Sequence, residues 1–371
     1  MARRIIASLL LLILVFVWVV PFGGLLITSA RSTKHANETG FWTAFQTNEI
    51  GYSFKTKGKD AIRFRDGIWI IEGNIFSERG EVVRFGSGAA KPDDAQVGDT
   101  ITIRDGQFTL QENGDYIWVF ANEYTKSGKT IGVRVAHPPQ FGLRNYKRAF
   151  GDGRIPNALI NSFIVTIPAT IIPVMIAAFA AYAFSWLQFP GRDILLGIVI
   201  ALLVVPLQLA FIPVLSIYAN LAHWAGDLSA ETFSGLWIAH TAFGLPLAIF
   251  LLRNYIAGLP RELMESARLD GASHMQIFTR LVLPLSLPAL ASYGIFQFLW
   301  VWNDLLVALI LGPTSDLVLP IEIQKQIGTF KSELERLNAS AFISMIVPLF
   351  VFLSMQKYFV RGLLAGSVKG G

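Results

Sequence analysis

The stretch Leu259-Pro260-Arg261-Glu262-Leu263-Met264-Glu265-Ser266-Ala267-Arg268-Leu269-Asp270-Gly271-Ala272-Ser273-His274-Met275-Gln276-Ile277-Phe278 decides how this chain is read. Pro260 suits the first position of a helix, and Glu262 and Glu265 sit near the positive end of its dipole. Gly271 can take the left-handed turn that ends such a helix. Ser273 and Gln276 have capping-box spacing, which predicts a second helix running to a stop at Leu283-Pro284. Segment 258–284 therefore reads as a helix-turn-helix, with Leu263, Ala267, Phe278 and Leu281 on inward faces and charges at the turn. A docking element and an amphipathic connector resting on headgroups fit this pattern equally well.

Apolar runs flank this loop on both sides. About 20 helical residues cross about 30 Å of hydrocarbon, and six runs qualify: Ile5 to Ile27, Ala158 to Phe184, Ile194 to Ala219, Gly235 to Leu252, Leu285 to Leu311 and Ala341 to Val360. The composition agrees, with 53% hydrophobic and 15% charged residues, against roughly 25% charged in a soluble domain. An ordinary soluble enzyme is thereby disfavoured. The chain has no cysteine, which excludes disulfides, thiolate zinc sites, cysteine nucleophiles and cysteine-ligated clusters. Its net charge of +5 is sorted by loop and not gathered on one basic face, so no nucleic-acid partner is expected.

Arg3 and Arg4 precede the first run, and Thr28-Ser29-Ala30 resembles a cleavage context. A run of about 23 residues exceeds the usual 7–15 of a signal core, so it reads as an uncleaved anchor. Lys and Arg in short loops face the cytoplasm in excess. With the N-terminus inside, Arg3, Arg4, Arg192, Arg253, Arg261, Arg268, Arg280, Lys357, Arg361 and Lys369 are inner, and Lys325, Lys331 and Arg336 are outer. Both termini are then cytoplasmic, and the long segment after the first run lies outside.

That segment, Arg31 to Arg154, carries 18 Lys+Arg and 15 Asp+Glu. Asp66-Gly67 and Asp105-Gly106 separate short alternating runs, and Asn113-Gly114 precedes another, as in tight hairpins. Residues 31–150 are therefore expected to form an antiparallel β-rich insertion between residues 1–30, the first span, and residues 151–371, which hold five more. Ser127-Gly128-Lys129-Thr130 approaches a phosphate loop, but Glu123 occupies the place of its first glycine, so a turn between strands is expected.

The string Glu265-Ser266-Ala267, Asp270-Gly271 and, after nine residues, Leu281-Val282-Leu283-Pro284 resembles the EAA loop of ABC importer permeases, with serine for the second alanine and leucine for isoleucine. Asn161-Ser162, Ala181-Tyr182-Ala183, Phe189-Pro190-Gly191-Arg192, Trp302-Asn303-Asp304 and the ending Arg361 to Gly366 are similar to the carbohydrate-uptake branch, specifically its MalG-type subunit. A long insertion after the first span resembles the α-glucoside permeases of that branch. The resemblance implies an all-α membrane protein of the type I importer permease fold, with six transmembrane helices and an extracytoplasmic β-rich insertion, in a bacterial inner membrane. It implies a heterodimer with a second permease subunit, two ATP-binding subunits, an extracytoplasmic sugar-binding protein and surrounding membrane lipid. ATP and magnesium would sit on the partner subunits, with no catalysis and no cofactor on this chain. Glu265, Ala267, Asp270, Gly271, Leu283 and Pro284 would couple to the ATPases, and the tail from Arg361 would also touch them. The outer stretch Gly312 to Asn338 would face the binding protein.

Polar residues within the spans are Asn161, Gln208, His240, Asn303 and Asp304. Such residues face a cavity or the bundle interior. Asn161, Asn303 and Asp304 are candidates for the pathway or its gate, while His240 reads as a packed, hydrogen-bonded helix residue. A secondary transporter would show internal repeats and mid-membrane carboxylates, and only Asp304 answers to that description. An enzyme in the outer segment would need clustered chemistry that its acids and His137 do not form.

Overall fold

The computed structural model describes residues 2–32, 36, 39–75, 81–89, 91–225, 231–329 and 334–367. Lys331 and Lys369, used in the charge count, lie outside the described residues. Two compact units divide the chain, Met1–Arg148 with Phe330–Ala339, and Ala149–Thr329 with Ser340–Gly371.

The first unit opens with α1 (Ala2–Ala30), which contains the first expected run. Among the described residues nine strands follow: β1 (Asn48–Lys55), β2 (Ile62–Arg65), β3 (Ile68–Asn74), β4 (Glu81–Gly86), β5 (Ala95–Gln96), β6 (Thr100–Ile103), β7 (Gly106–Leu110), β8 (Asp115–Phe120) and β9 (Thr130–His137). They form two antiparallel sheets, ordered β1-β9-β4-β5 and β2-β3-β8-β7-β6. Phe85, Ile131 and Val133 from one sheet pack with Ile71, Phe108 and Trp118 from the other, so the two sheets share one core. An all-α description therefore holds for the membrane part alone. Val83 is an extra residue between the pairs Val82–Val135 and Arg84–Arg134. This bulge lets Val82 and Phe85, three residues apart, both point inward, which strict alternation forbids.

The Asp66-Gly67 hairpin forms as expected, with φ of 50° and 83° at its two central residues. The next turn differs by one residue. Ile103 pairs with Gly106, so Arg104-Asp105 make the turn, with Arg104 at φ 53° and Gly106 already in the strand. A Cβ on Gly106 would lie 2.6 Å from the Phe120 ring, so its glycine serves packing. Gly128 is likewise structural: a Cβ there would meet the Thr56 carbonyl oxygen at 1.7 Å, and the Thr56 N–H donates to the Lys129 carbonyl at 2.9 Å. In place of the expected turn between strands, Ser127 to Lys129 run against the segment at Thr56.

Helix α2 (Arg144–Gly151) precedes the long helix α3 (Arg154–Trp186). In the second unit α3 packs extensively against α6 (Phe233–Ile256) and also against α9 (Leu287–Trp302). Ala169, Ala177, Ala178 and Ala181 of α3 and Ala239, Gly244 and Ala248 of α6 are buried, while Ile160, Ile164, Ile167 and Ile171 of α3 are exposed. Small residues inside and large apolar residues outside suit helices that approach closely in a hydrocarbon solvent.

Two of the expected spans are broken. The third is α4 (Arg192–Leu202) and α5 (Leu207–Ala225), bent by 109° across residues 203–206. Pro206 lacks an N–H and pushes the residue before it toward extended backbone. The fifth begins as α8 (His274–Leu285), turns by 70° into α9, ends at Trp302 and resumes as α10 (Leu306–Leu311). After α11 (Leu319–Thr329), the chain closes with α12 (Leu334–Ser367), which contains the sixth run. Among the described residues, four helices are long and apolar enough to cross a membrane, and the count rises to six if each bent pair is one span.

Candidate functional site: a braced helix-turn-helix

Helix α7 (Arg261–Leu269) begins one residue later than expected, with Pro260 as its N-cap. Its end is a Schellman turn. Asp270 is the C-cap, Gly271 follows at φ +78°, the Gly271 N–H donates to the Arg268 carbonyl at 3.0 Å and the Ala272 N–H to the Ala267 carbonyl at 3.0 Å. The capping box then starts α8: the Gln276 N–H donates to Ser273 Oγ at 3.3 Å, and the Ser273 N–H donates to Gln276 Oε1 at 2.8 Å. Two cap motifs back to back leave almost no freedom in residues 270–276, so the turn is preformed.

The inner side of this element is anchored. Met264, Ile277, Phe278 and Val282 are buried in a cluster with Ala178, Tyr182 and Leu252. Each such side chain contributes roughly 1.5–3 kcal/mol over exposure. Phe278 lies 4.5 Å from Phe179 and 5.4 Å from Tyr182, ring centre to ring centre. Tyr182 also shares a 3.0 Å hydrogen bond with His274 Nδ1, and the Tyr255 hydroxyl donates to the Leu285 carbonyl at 3.2 Å. The ends of α3 and α6 thus hold both helices of the loop.

The inward set differs from the expectation. Leu263 is 43% exposed and Met264 takes the buried position; Ala267 and Leu281 are half-buried. The stop at Leu283-Pro284 comes slightly later, at Ser286, because the chain passes Pro284 by widening into a π-turn over Phe278–Val282. The Leu283 N–H then bonds the Phe278 carbonyl, five residues back, which relaxes the helix where a proline ring would crowd it. Leu283 is half-buried and Pro284 exposed.

The outer side is uncovered. Glu265, Asp270, Gly271 and His274 are exposed, Leu269 is 89% exposed, and among the described residues none beyond the immediate chain neighbours comes within 4 Å of a Cβ built on Gly271. Apolar and charged groups therefore stand side by side on a rigid turn.

The three pathway candidates separate by role. Asn161 Nδ2 donates to the Leu317 carbonyl at 3.1 Å, and its neighbour Ser162 Oγ accepts the Leu319 N–H at 2.8 Å, so this pair docks the start of α11 on α3. Asn303 is exposed at the C-cap of α9, where Nδ2 donates to the Leu299 carbonyl at 2.8 Å. Asp304 caps α10, its Oδ2 accepting the Val307 N–H at 2.9 Å and the Ala308 N–H at 3.3 Å. His240 is buried with Nε2 3.9 Å from that oxygen, while its Nδ1 has no hydrogen-bond partner among the described residues. It is packed as expected, edge-on to Trp300, without the expected hydrogen bond on that nitrogen. The space among Asp304, His240 and Thr166 measures about 10 Å³, far too little for a sugar ring.

A polar cluster absent from the sequence expectations lies deeper. Gln297 is buried, donates from Nε2 to the Ala169 carbonyl at 3.1 Å and accepts from the Tyr293 hydroxyl at 2.8 Å. It joins α3, α6 and α9, and a Cβ on Gly244 would come within 2.7 Å of its amide. The signal was a lone glutamine in an apolar helix, which must find a partner in the bundle. Tyr293, Gln297, Phe243 and Trp300 also border a largely apolar cavity of about 540 Å³ beside the α4–α5 bend.

Residues 173–364 match the family described as the inner membrane component of binding-protein-dependent transport systems. The chain belongs to that family. It is 48% identical over 364 residues, 97% of its own length and 96% of the relative's, to the alpha-glucoside transport system permease protein AglG of Rhizobium meliloti. It is 56% identical over 233 residues, 62% of its length and 76% of the relative's, to the osmoprotective compounds uptake permease protein GgtD of Synechocystis sp.. Among solved structures, a bacterial alginate ABC transporter in complex with a pentasaccharide-bound periplasmic protein aligns at 15% identity and a TM-score of 0.47, covering 58% of this chain and 81% of that one.

Proposed function

We propose that the chain is one of two permease subunits of an ATP-driven, binding-protein-dependent sugar importer, with an α-glucoside as the transported class. The match to the alpha-glucoside permease over 97% of the chain, the β-rich segment included, supports the sugar class. The shorter match to the osmoprotectant permease supports a second reading, a compatible solute as cargo.

The observation that carries the mechanism is the preformed turn at residues 269–275, anchored on its inner side and uncovered on its outer side. Each of the two cytoplasmic ATPase subunits would receive one such element, each permease subunit supplying one. Glu265, Ala267, Asp270 and Gly271 meet the ATPase, and Leu283 and Pro284 pass its motion into α8 and α9. Because Phe278 and Tyr182 hold the loop to α3, closing of the ATPases would tilt the bundle and not merely bend the loop. ATP binding and membrane access then share one linkage equilibrium. With α4–α5 and α8–α9 each counted as one of six spans, both termini would lie in the cytoplasm and the β-sandwich outside, a reading supported by the excess of Lys and Arg in the short inner loops. ATP and magnesium belong to the partner subunits, and the binding protein delivers sugar on the outer face.

The test is ATP hydrolysis by the reconstituted assembly with its binding protein and a panel of α-glucosides and osmoprotectants, for the native chain and Gly271→Arg. The native complex should be stimulated by one class, and the variant should assemble with stimulation lost. Full stimulation in the variant would contradict the coupling role.

A further inference from the structure

The end of α1 carries an aromatic and basic collar whose construction points to a ligand. The Phe41 ring lies against Gly24, where an added Cβ would come within 2.8 Å of it, so this segment folds back along the last turns of α1. Trp42 is 73% and Phe45 72% exposed, and Phe45 stacks 5.3 Å from Phe141, itself exposed. The returning strand is tied to the same helix end: the Gly142 N–H donates to the Ala30 carbonyl at 2.8 Å, and Asn145 Nδ2 donates to the carbonyls of Ser29 and Arg31 at 2.7 and 2.8 Å. Directly beside these buried bonds, Arg144, Lys147 and Arg148 are exposed and form no ion pair among the described residues.

Three exposed aromatic rings sit together beside the last turns of α1, where a helix that spans the membrane would leave the hydrocarbon. Aromatic side chains concentrate at that depth in membrane proteins, and basic side chains just beyond it meet lipid phosphates. We propose that the collar of Trp42, Phe45 and Phe141 with Arg144, Lys147 and Arg148 is a binding site for anionic phospholipid headgroups, seating the rings in the interface. The continuity of this surface with α1, which is exposed and apolar from Ile5 to Val19, selects lipid over a soluble protein as the occupant. The inference rests on the reading that α1 spans the membrane.

Trp18 makes the two readings separable. It is 68% exposed on α1, twelve residues or about 18 Å from Ala30 along the helix. The full chain in its assembled transporter is placed in phosphatidylcholine vesicles, with and without phosphatidylglycerol, and fluorescence is compared with Trp18→Phe and Trp42→Phe. Lipid brominated near the headgroup should quench the emission lost in Trp42→Phe, and lipid brominated at mid-chain should quench that lost in Trp18→Phe. Phosphatidylglycerol should be retained over phosphatidylcholine in native mass spectra, with retention falling roughly fivefold for each charge removed in Arg144→Gln, Lys147→Gln and Arg148→Gln. Trp42 quenched by aqueous iodide and not by lipid bromine, with Trp18 still quenched at mid-chain, would overturn the collar alone. Absence of mid-chain quenching at Trp18 would overturn the spanning reading and the collar with it. Equal retention of the two lipids by the native chain would overturn the headgroup site.

Discussion

At the scale of single residues, Gly271 carries two separable demands. Its φ of +78° disfavours any side chain by about 1–2 kcal/mol, yet the space around it is open within the chain. Gly271→Asn, which tolerates this conformation, should fold nearly as well as the native chain, so any loss of stimulated ATPase activity reports on the partner and not on the turn. Gly244 is the opposite case. Its demand is internal, because Gln297 fills the space a side chain needs, and Gly244→Leu should cost about 1–3 kcal/mol by overpacking, read as a lowered Tm of the purified protein. Asp304→Ala should lose the α10 cap at a cost of about 0.5–2 kcal/mol, whereas Asp304→Asn keeps an acceptor and should leave the KM for sugar unchanged. A raised KM in Asp304→Asn would return this residue to the pathway. The Ser273–Gln276 capping box and Gly271 were legible in the sequence because they are local chemistry at fixed spacing, whereas Asp304 was read as a pathway candidate and not as a cap. Gln297 and Met264 were not, since their roles depend on which way a helix faces.

At the scale of elements, the same distinction explains what hydropathy could and could not locate. Each expected run contains helix, but a window of apolar residues is blind to direction, so the bends of 109° and 70° were invisible. Pro206 and Pro284 lie at or beside them, but a proline in a sequence does not say whether a helix will kink, widen or stop. In the β-sandwich the hairpin at Asp66-Gly67 was legible from its two turn residues, while the turn at Arg104-Asp105 was misplaced because Gly106 is required by a ring across the sheet. A pH effect belongs to this scale. Asp94 accepts from both the Ser87 N–H and its hydroxyl, which hold its carboxyl below the ordinary range, and Arg134 does the same for Asp93. A carboxylate with a lowered folded pKa stabilises above its unfolded value, near 3.9, and loses that contribution as pH falls through the folded value. Amide exchange at residues 87–94, corrected for intrinsic rate, should therefore accelerate below about pH 4, before the β8–β9 core does. Unchanged protection there at low pH would show that these carboxylates do not hold the loop.

At the scale of the whole molecule, the proposed coupling requires the bundle to tilt with the loop that α3 and α6 hold. The family was legible from the loop spacing, and its membership now rests on the match over residues 173–364. The arrangement across the membrane is open to direct test because the chain contains no cysteine, so single thiols can be introduced at will. Glu112→Cys, on a turn of the β-sandwich, should react with an impermeant reagent added outside intact cells, and Met275→Cys only after the membrane is opened. The central claim, that residues 269–275 are the surface met by the ATPase, is tested most directly by placing a photoactivatable thiol reagent on Leu269→Cys, the most exposed large apolar residue of the loop, in the assembled transporter. The account predicts a covalent adduct with the ATPase subunit, at a yield that changes with nucleotide, and none from Glu112→Cys. Labelling of lipid alone from Leu269→Cys, in an assembly that still hydrolyses ATP on demand, would contradict it.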